Sequence, residues 1–282
     1  TCTHWVVPSV APAPIRMGEA PMPWDYPMYP ARDQVVAYLE RYAASLDAAW
    51  RHGCRCVVDF HQDIYSQAFS GDGFPRWTLP PGEYGPDVHD DHVWFFKYVM
   101  DEGVRGAYDR FWDDADGLQA AFTAMWQLMV RRFRGHPAVL GFEIINEAGW
   151  GTRDVDDFKR TVLEPFHTRL AAAINALAPA HLVLHGGCGI DALGPISYWS
   201  QPEGDNLVFA PHLYDPGLIA GNAWSGQEPD PAFEGFRQFQ ARSGNPILLG
   251  EFGVGRTATG GDPWFDRVME LLDTHRMHAT LW

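Results

Sequence analysis

The sequence predicts an α/β fold built from repeated βα units, and three observations lead to this prediction. Short apolar segments rich in Val, Ile and Leu alternate with longer segments of helical periodicity, which is typical of a parallel sheet covered by helices. No low-complexity linker and no internal repeat interrupts the 282 residues, a length that suits one barrel domain. We therefore expect a single (β/α)8 TIM-barrel catalytic domain over residues 1–282.

Seven segments are predicted as strands, at residues 5–10, 55–61, 139–147, 181–186, 207–214, 247–252 and 277–282. A closed (β/α)8 barrel has one strand more, so we expect this chain to lack the first βα unit. Unless the chain is a fragment, another segment has to cover the strand edges that the gap would expose. The helices are predicted at 33–52, 117–133, 155–177, 231–241 and 263–274, where apolar residues recur at helical spacing.

The segment 64–116 is too long for an ordinary βα loop and is rich in aromatic and acidic residues. It follows the carboxyl end of a predicted strand, which places it on the reactive face of a barrel. We expect a lid-like insertion, with a short apolar helix at 93–100, that shelters a hydrophobic part of a substrate. The alternative is a small core that only holds the loop together.

The composition excludes several classes of partner. A formal net charge of −15 argues against nucleic acid, whose binding depends on Lys and Arg. No apolar run is long enough for a transmembrane segment, although transient contact with a membrane surface is compatible with the sequence. There is no signal peptide in this chain, and the localisation, secreted or cytoplasmic, stays open.

Two glutamates carry most of the functional information. Glu147 and Glu251 each end a short apolar run that is predicted as a buried strand. In a parallel barrel the carboxyl ends of the strands form the reactive face, so both side chains are catalytic candidates. A pair of carboxyls, one protonated and one ionised, is what the hydrolysis of a glycosidic bond requires.

Other polar residues end predicted strands in the same way. His61 and Asp63 follow one strand, and His212 and Tyr214 end another. Because side chains alternate along a strand, the two members of each pair lie on one face. Four strand ends that carry polar groups on one face favour a functional site over isolated structural residues.

The ordered motifs resemble glycoside hydrolase family 5, a retaining (β/α)8 family, and within it the endoglycoceramidase-related group of glycolipid β-glucosidases. The resemblance depends on DFHQDIYS at 59–66, SGDGFPRW at 70–77, NE at 146–147, PHLY at 211–214, GEFG at 250–253 and the terminal Trp282. It covers most of the chain and implies that the substrate is a carbohydrate or glycolipid.

The resemblance also implies roles for individual residues. Glu147 would be the acid/base and Glu251 the nucleophile of a double displacement. Asn146 would hydrogen-bond the 2-hydroxyl of the sugar. His212 and Tyr214 would position the two carboxyls.

The resemblance further implies that His61 and Asp63 contact the sugar and that Trp282 forms the platform beneath it. The chain departs from the family in two places. Ala148 follows the acid/base, where Pro is common. His4, by its spacing to Pro14, takes the position of an arginine beside the nucleophile, so Glu251 is expected to lack a fixed positive charge.

We therefore expect a retaining β-glycosidase that releases a hydrophobic aglycone, as from a glycosphingolipid or steryl glucoside, with no cofactor and no metal. A β-glucosidase or endoglucanase acting on soluble oligosaccharides or glucans would use the same residues. A metal-dependent barrel hydrolase with His61, Asp63, His185 and His212 as ligands is a third reading. An inactive sugar-binding barrel is a fourth.

Overall fold

The structure, a computed structural model, describes residues 3–8, 32–80, 94–194, 196 and 198–282. Eight strands occur in these ranges: β1 (Thr3–Pro8), β2 (Cys54–Asp59), β3 (Val139–Glu143), β4 (Leu182–His185), β5 (Leu207–Phe209), β6 (His212–Leu213), β7 (Leu248–Phe252) and β8 (His278–Leu281). Every predicted strand has a counterpart here, and most observed strands are shorter.

Parallel pairing links the strands into two sheets, β2 to β5 in one and β6 to β8 in the other. The two sheets meet where Phe209 pairs with Ile247 and where the Gly250 N–H donates to the Pro211 carbonyl at 2.8 Å. The predicted strand 207–214 is divided into β5 and β6 at Pro211, because proline has no N–H to donate to a ladder.

Strand β1 differs from the prediction of a parallel strand. It runs antiparallel to β2, with Thr3 opposite Asp59 and Pro8 opposite Cys54. It also contacts β8, so it lies between the first and the last of the parallel strands. The free edge of β2 can be paired in either direction, because parallel and antiparallel ladders use the same backbone donors and acceptors.

The described ranges contain nine helices, of which those at 102–112 and 216–221 were not predicted, whereas the others lie where the sequence placed them. The nine helices are α1 (Arg32–Arg51), α2 (Lys97–Met100), α3 (Glu102–Trp112), α4 (Leu118–Phe133), α5 (Val155–Phe158), α6 (Glu164–Asn175), α7 (Pro216–Gly221), α8 (Asp230–Ser243) and α9 (Gly261–His275). A π-helical turn over Lys159–Leu163 joins α5 to α6, so the predicted helix 155–177 is continuous. None of the helices in the described ranges has both the length and the apolar character needed to cross a bilayer.

The barrel interior is marked by a small buried cluster of Val57, Leu184, Val208 and Ala210. These side chains come from strands that are not all neighbours, so they meet across the barrel. Along β2 and along β5 to β6, alternation continues this inward face past the strand ends. Asp59 and then His61 follow Val57 on this face, and His212 follows Ala210, which is why these side chains reach the carboxyl end of the barrel.

Two buried histidines lie outside this inward face. His167 on α6 and His185 at the end of β4 are fully buried, and their rings lie 5.8 Å apart. Among the described residues none hydrogen-bonds to their ring nitrogens. Burial lowers the pKa of His167 to about 3 and also holds the pKa of His185 well below its usual range. Both side chains are therefore neutral in the folded protein at neutral pH.

We predict that His167 destabilises the protein in acid. Its folded pKa is lowered, so the unfolded chain binds a proton that the folded chain refuses once the pH falls below about 6.5. A His167→Leu variant should gain about 2 kcal/mol of stability relative to the wild type between pH 7.5 and 5. Urea unfolding at both pH values measures this difference. His52→Leu, at an exposed position, is the control, and an equal pH response of all three proteins would contradict the prediction.

Candidate active site

The two predicted catalytic glutamates meet at the carboxyl end of the barrel. Glu147 follows β3, Glu251 lies within β7, and His212 of β6 stands between them. The His212 Nδ1 atom is 2.8 Å from Glu147 Oε1 and 3.5 Å from Glu251 Oε2. One carboxylate oxygen of each glutamate lies within 4.8 Å of the other. Residues separated by 104 positions in sequence are therefore close enough to act on one bond.

The chain leaves the strand conformation before it reaches Glu147. The predicted strand 139–147 ends at Glu143, and Glu147 has a φ of +36°. A non-glycine residue in the left-handed region costs on the order of 1 kcal/mol, and such strain is common at functional sites. The strained turn places the Glu147 side chain beside His212.

Glu251 is more deeply buried than Glu147. Its Oε2 accepts a hydrogen bond from the Tyr214 hydroxyl at 2.9 Å, whereas its Oε1 is buried without a partner among the described residues. Burial raises the pKa of Glu251 to about 7; His212 acts in the opposite direction, and the Glu147 carboxylate raises the value further. The ionised form of Glu251 therefore depends on nearby positive charge.

His212 supplies that charge. Burial alone would lower the pKa of His212, but Glu251 and Glu147 outweigh it and raise the pKa to about 9. His212 is therefore a charged imidazolium at neutral pH, and the two carboxyls share it. Gly250 makes room for it: a Cβ atom at Gly250 would lie 3.0 Å from the His212 ring, closer than ordinary van der Waals contact.

A second charged group lies at the end of β2. The His61 ring contacts Asp59 through Nδ1 at 3.1 Å and Asp63 through Nε2 at 3.2 Å. Burial by itself lowers the pKa of His61, but these carboxylates hold it well above its usual range. The ring stacks on Trp282, with centroids 5.5 Å apart and planes inclined by 12°. His61, Asp63 and Trp282 therefore form one continuous wall.

A cavity of about 340 Å³ opens onto both glutamates. His61, Asp63, Tyr214 and Trp282 also line it, but Asn146 and His212 do not line it in the described part of the chain. The rest of the wall is mostly apolar and comes from four segments of the chain. These residues are Trp94, Phe95, Phe96, Tyr98, Val99, Trp150, Gly189, Ile190, Ala192, Leu193, Leu218 and Ile219.

Two acidic residues of the site were missed by the sequence analysis. Asp59 and Glu143 lie opposite each other on β2 and β3 and are buried below the glutamates. Burial raises the pKa of Glu143 well above its usual value, and the neighbouring Asp59 adds to the effect. The sequence did contain a signal for both residues, because alternation along a strand places Asp59 on the face of His61 and Glu143 on the face of Glu147.

The histidines do not favour the metal-dependent reading. Among the described residues His61 and Asp63 group with Asp72, whereas His212 groups with Glu147 and Glu251, so the four proposed ligands do not meet at one site. His185 packs against Phe209 and Phe239 and belongs to neither group of closely spaced potential ligands among the described residues. The expectation for His4 cannot be compared with this geometry, because its side chain lies outside the described residues.

Comparison with known proteins identifies the family. The model of the family described as cellulase, glycosyl hydrolase family 5, matches residues 15–282. The chain belongs to this family. The resemblance predicted from the sequence motifs is thus confirmed, and so is the (β/α)8 barrel, of which the chain covers a part.

Several known proteins and solved structures are similar to this chain. Endoglycoceramidase I of Rhodococcus hoagii is 28% identical over 201 residues, which is 66% of this chain and 40% of that protein. Endo-glycoceramidase II of Rhodococcus sp. in a ganglioside GM3 complex superposes with a TM-score of 0.74 at 23% identity, covering 87% of this chain and 61% of that one. Sterylglucosidase 1 of Cryptococcus neoformans superposes with a TM-score of 0.62 at 13% identity, covering 88% and 62%.

The chain therefore spans about 40% of the length of the curated endoglycoceramidase it matches. The two structural likenesses show a shared fold.

We predict that one glutamate carboxyl titrates near neutrality and depends on His212. In protein carrying ¹³C-labelled glutamate carboxyls, NMR should show a signal with a pKa of about 7 that is lost in Glu251→Gln. His212→Gln removes the positive charge, so this pKa should rise further. His52→Gln, at an exposed position, is the control. An unchanged or lower pKa in His212→Gln would contradict the electrostatic role of the imidazolium.

Proposed function

We propose that this protein is a retaining β-glycosidase that hydrolyses the β-glucosidic bond between a sugar and a hydrophobic aglycone. The observation that carries the proposal is the cavity: Glu147 and Glu251 open directly onto a wall of aromatic and aliphatic side chains. Such a wall favours an apolar group on one side of the scissile bond. The names of the relatives, endoglycoceramidase and sterylglucosidase, point to glycosphingolipids and steryl glucosides as the substrate class.

The spacing of the carboxyls supports retention of configuration. Retaining enzymes hold the two groups about 5 to 5.5 Å apart, whereas inverting enzymes leave about 6.5 to 9.5 Å for a water molecule. The oxygens of Glu147 and Glu251 that lie within 4.8 Å of each other fit the shorter class. A direct attack by one carboxylate, followed by hydrolysis of the ester, is the mechanism that this spacing favours.

In the first step Glu147, in its protonated form, donates its proton to the glycosidic oxygen. The ionised Glu251 forms a bond to the anomeric carbon as the bond from that carbon to the glycosidic oxygen breaks, and the aglycone leaves as an alcohol. The Tyr214 hydroxyl, which donates to Glu251 Oε2, and the His212 imidazolium both favour the ionised form of the nucleophile.

In the second step water replaces the alcohol. Glu147, now ionised, takes a proton from the water while the water oxygen attacks the anomeric carbon. The ester bond to Glu251 breaks at the same time. Both residues return to their starting protonation states. His212 contacts both carboxyls and can balance the charge in either step, because the negative charge passes from Glu251 to Glu147 in the first step and back in the second, so the net charge of the trio does not change.

The sugar is proposed to lie against the polar side of the cavity. Asp63 can accept hydrogen bonds from hydroxyl groups, and the Trp282 ring offers a flat surface to the apolar face of a pyranose. The contact of His61 with the sugar stays a prediction, since both its ring nitrogens contact carboxylates. The role of Asn146 toward the 2-hydroxyl stays a prediction, since its amide nitrogen donates to the Gln62 carbonyl at 3.1 Å.

The insertion 64–116 is proposed to act as the lid of the aglycone side. Helix α2 contributes Tyr98 and Val99 to the cavity wall, and the preceding turn contributes Trp94, Phe95 and Phe96. Phe96, Val99 and Met100 of the same segment are exposed to solvent, and the cavity residue Ile190 is exposed as well. Exposed apolar side chains at the mouth of a cavity favour transient contact with a membrane surface that presents the lipid substrate.

A substrate panel tests the proposal against its nearest alternative. Glucosylceramide, lactosylceramide and a steryl glucoside are compared with cellobiose and a soluble β-glucan, all in the same detergent. We expect kcat/KM to be at least about tenfold higher for a lipid glycoside, because only its aglycone fills the apolar wall. Preference for cellobiose or glucan would support a β-glucosidase or endoglucanase instead. Loss of activity with a strong chelator would support the metal-dependent alternative.

We predict different responses of the two glutamates to the leaving group. Glu251→Gln should abolish turnover of every substrate, because no nucleophile remains. Glu147→Ala should lower kcat/KM by about 10²-fold or more on alkyl glucosides and far less on dinitrophenyl glucosides, whose leaving group needs little protonation. Steady-state kinetics on both substrate types measure this. Equal losses of kcat/KM on both substrate types would show that Glu147 is not the acid. The control is Glu164→Gln, on α6 outside the cavity.

A further inference from the structure

We propose that Gln62 is the positioning residue of Glu147, holding the acid/base in its strained conformation and linking it to the lid. The inference rests on the proposed function only in naming Glu147 the acid/base. Gln62 lies between His61 and Asp63 in sequence, yet it does not line the cavity among the described residues. Its side chain is fully buried beneath the turn that carries Glu147.

The carboxamide of Gln62 binds two successive carbonyl groups of that turn. Its Nε2 atom donates to the backbone oxygens of Asn146 and Glu147, at 2.8 Å each. Asn146 returns the contact, because its side-chain nitrogen donates to the Gln62 backbone carbonyl at 3.1 Å. The segments after β2 and β3 are thus joined by three hydrogen bonds between two adjacent strand ends.

The orientation of the carboxamide is fixed by its other partners. The Oε1 atom accepts from the Tyr65 backbone N–H at 3.1 Å and from the Tyr108 hydroxyl. A backbone N–H can only donate and a carbonyl can only accept, so a rotated amide would face like groups on both sides. Every hydrogen-bonding group of this buried side chain is satisfied, as expected of a rigid connection.

The turn needs such a connection because of its backbone. With a φ of +36°, Glu147 would relax toward a negative φ if nothing opposed it. Rotation of φ and ψ at this residue would swing its carbonyl away from the Gln62 amide. The two bonds to Asn146 and Glu147 therefore stabilise the strained form and leave the Glu147 carboxyl pointing at His212.

Two tyrosines connect the same carboxamide to the lid. The Tyr98 hydroxyl on α2 lies 3.2 Å from Gln62 Nε2 and accepts from the Ile64 N–H at 3.1 Å. Tyr98 also stacks on Trp150, with centroids 6.0 Å apart, and both rings line the cavity. The Tyr108 ring on α3 leaves no room for a side chain at position 149, since a Cβ atom on Gly149 would lie 2.3 Å from it.

The arrangement makes the aglycone wall and the acid/base parts of one hydrogen-bonded unit. The Tyr98 ring forms part of the wall that receives the aglycone, while its hydroxyl contacts the amide that holds Glu147. A leaving group that seats correctly against α2 therefore meets an acid that is held at a fixed distance from the glycosidic oxygen. Proton transfer depends steeply on that distance.

The test removes the hydrogen bonds of Gln62 while keeping its volume. Gln62→Met is the main variant, and Tyr108→Phe removes only one hydroxyl that donates to Gln62. The matched control is Gln119→Met, because Gln119 Nε2 also donates to two successive carbonyls, those of Phe111 and Trp112, at 3.2 and 3.0 Å, outside the cavity. The Glu147 carboxyl signal in ¹³C NMR, assigned through Glu147→Gln, reports its position without any turnover.

We expect this signal to move in Gln62→Met, to move less in Tyr108→Phe and to stay in place in Gln119→Met. An unmoved signal in both Gln62→Met and Tyr108→Phe, or an equal shift in the control, overturns the inference. This NMR test does not depend on the proposed function. The proposed function fails if the wild type cleaves no glucoside and forms no ester on Glu251 with a 2-fluoro-glucoside.

The kinetic readout is the dependence on the leaving group. Across aryl β-glucosides from dinitrophenyl to phenyl, Gln62→Met should lose about tenfold or more in kcat/KM for the poorest leaving group and about threefold or less for the best. Azide should raise kcat of this variant on the dinitrophenyl substrate, because it attacks the glycosyl ester without needing a base. Parallel losses along the series with no azide effect would indicate a merely structural role and overturn the inference.

Discussion

Two carboxyl groups that approach within 4.8 Å of each other in a buried site create an electrostatic problem around which the site is arranged. Like charges at such a distance cannot both be ionised without a compensating cation. His212 provides it, because its Nδ1 atom faces both glutamates and the pair raises its pKa to about 9. With one imidazolium shared between them, either carboxyl can be ionised while the other holds a proton. Acid catalysis and nucleophilic attack by the same pair require this.

The barrel meets this condition through local departures from regular structure. Glu147 reaches His212 because the chain leaves β3 early and turns through a positive φ. Glu251 reaches it because β7 carries a register irregularity between Leu249 and Phe252. Before that bulge, Leu248 packs on the barrel-interior cluster, whereas Leu249 belongs to the core outside it. An extra residue in the strand then returns Glu251 to the inward face.

A second group of polar residues lies next to Glu147, Glu251 and His212. Asp59 and Asp63 hold the His61 ring between them, and Trp282 covers one face of that ring. Glu143 lies beneath, where burial and nearby acidic groups raise its pKa. The same cavity is lined by these charged groups and by the apolar wall, so it has a polar and an apolar side. This division is the physical basis for proposing an amphiphilic substrate.

The sequence by itself determined the order of strands and helices and the residues of the reactive face, because alternation and helical periodicity reflect burial that every βα unit requires. It also determined the family, since the motifs around Glu147 and Glu251 are local in the chain. Only the tertiary structure decided the direction of β1, the bulge in β7, and the burial of His185 away from the site. It also decided the contacts of Gln62. These features depend on pairing between distant segments, on a bulge and on a strained turn, and none of them leaves a periodic trace in the order of the residues.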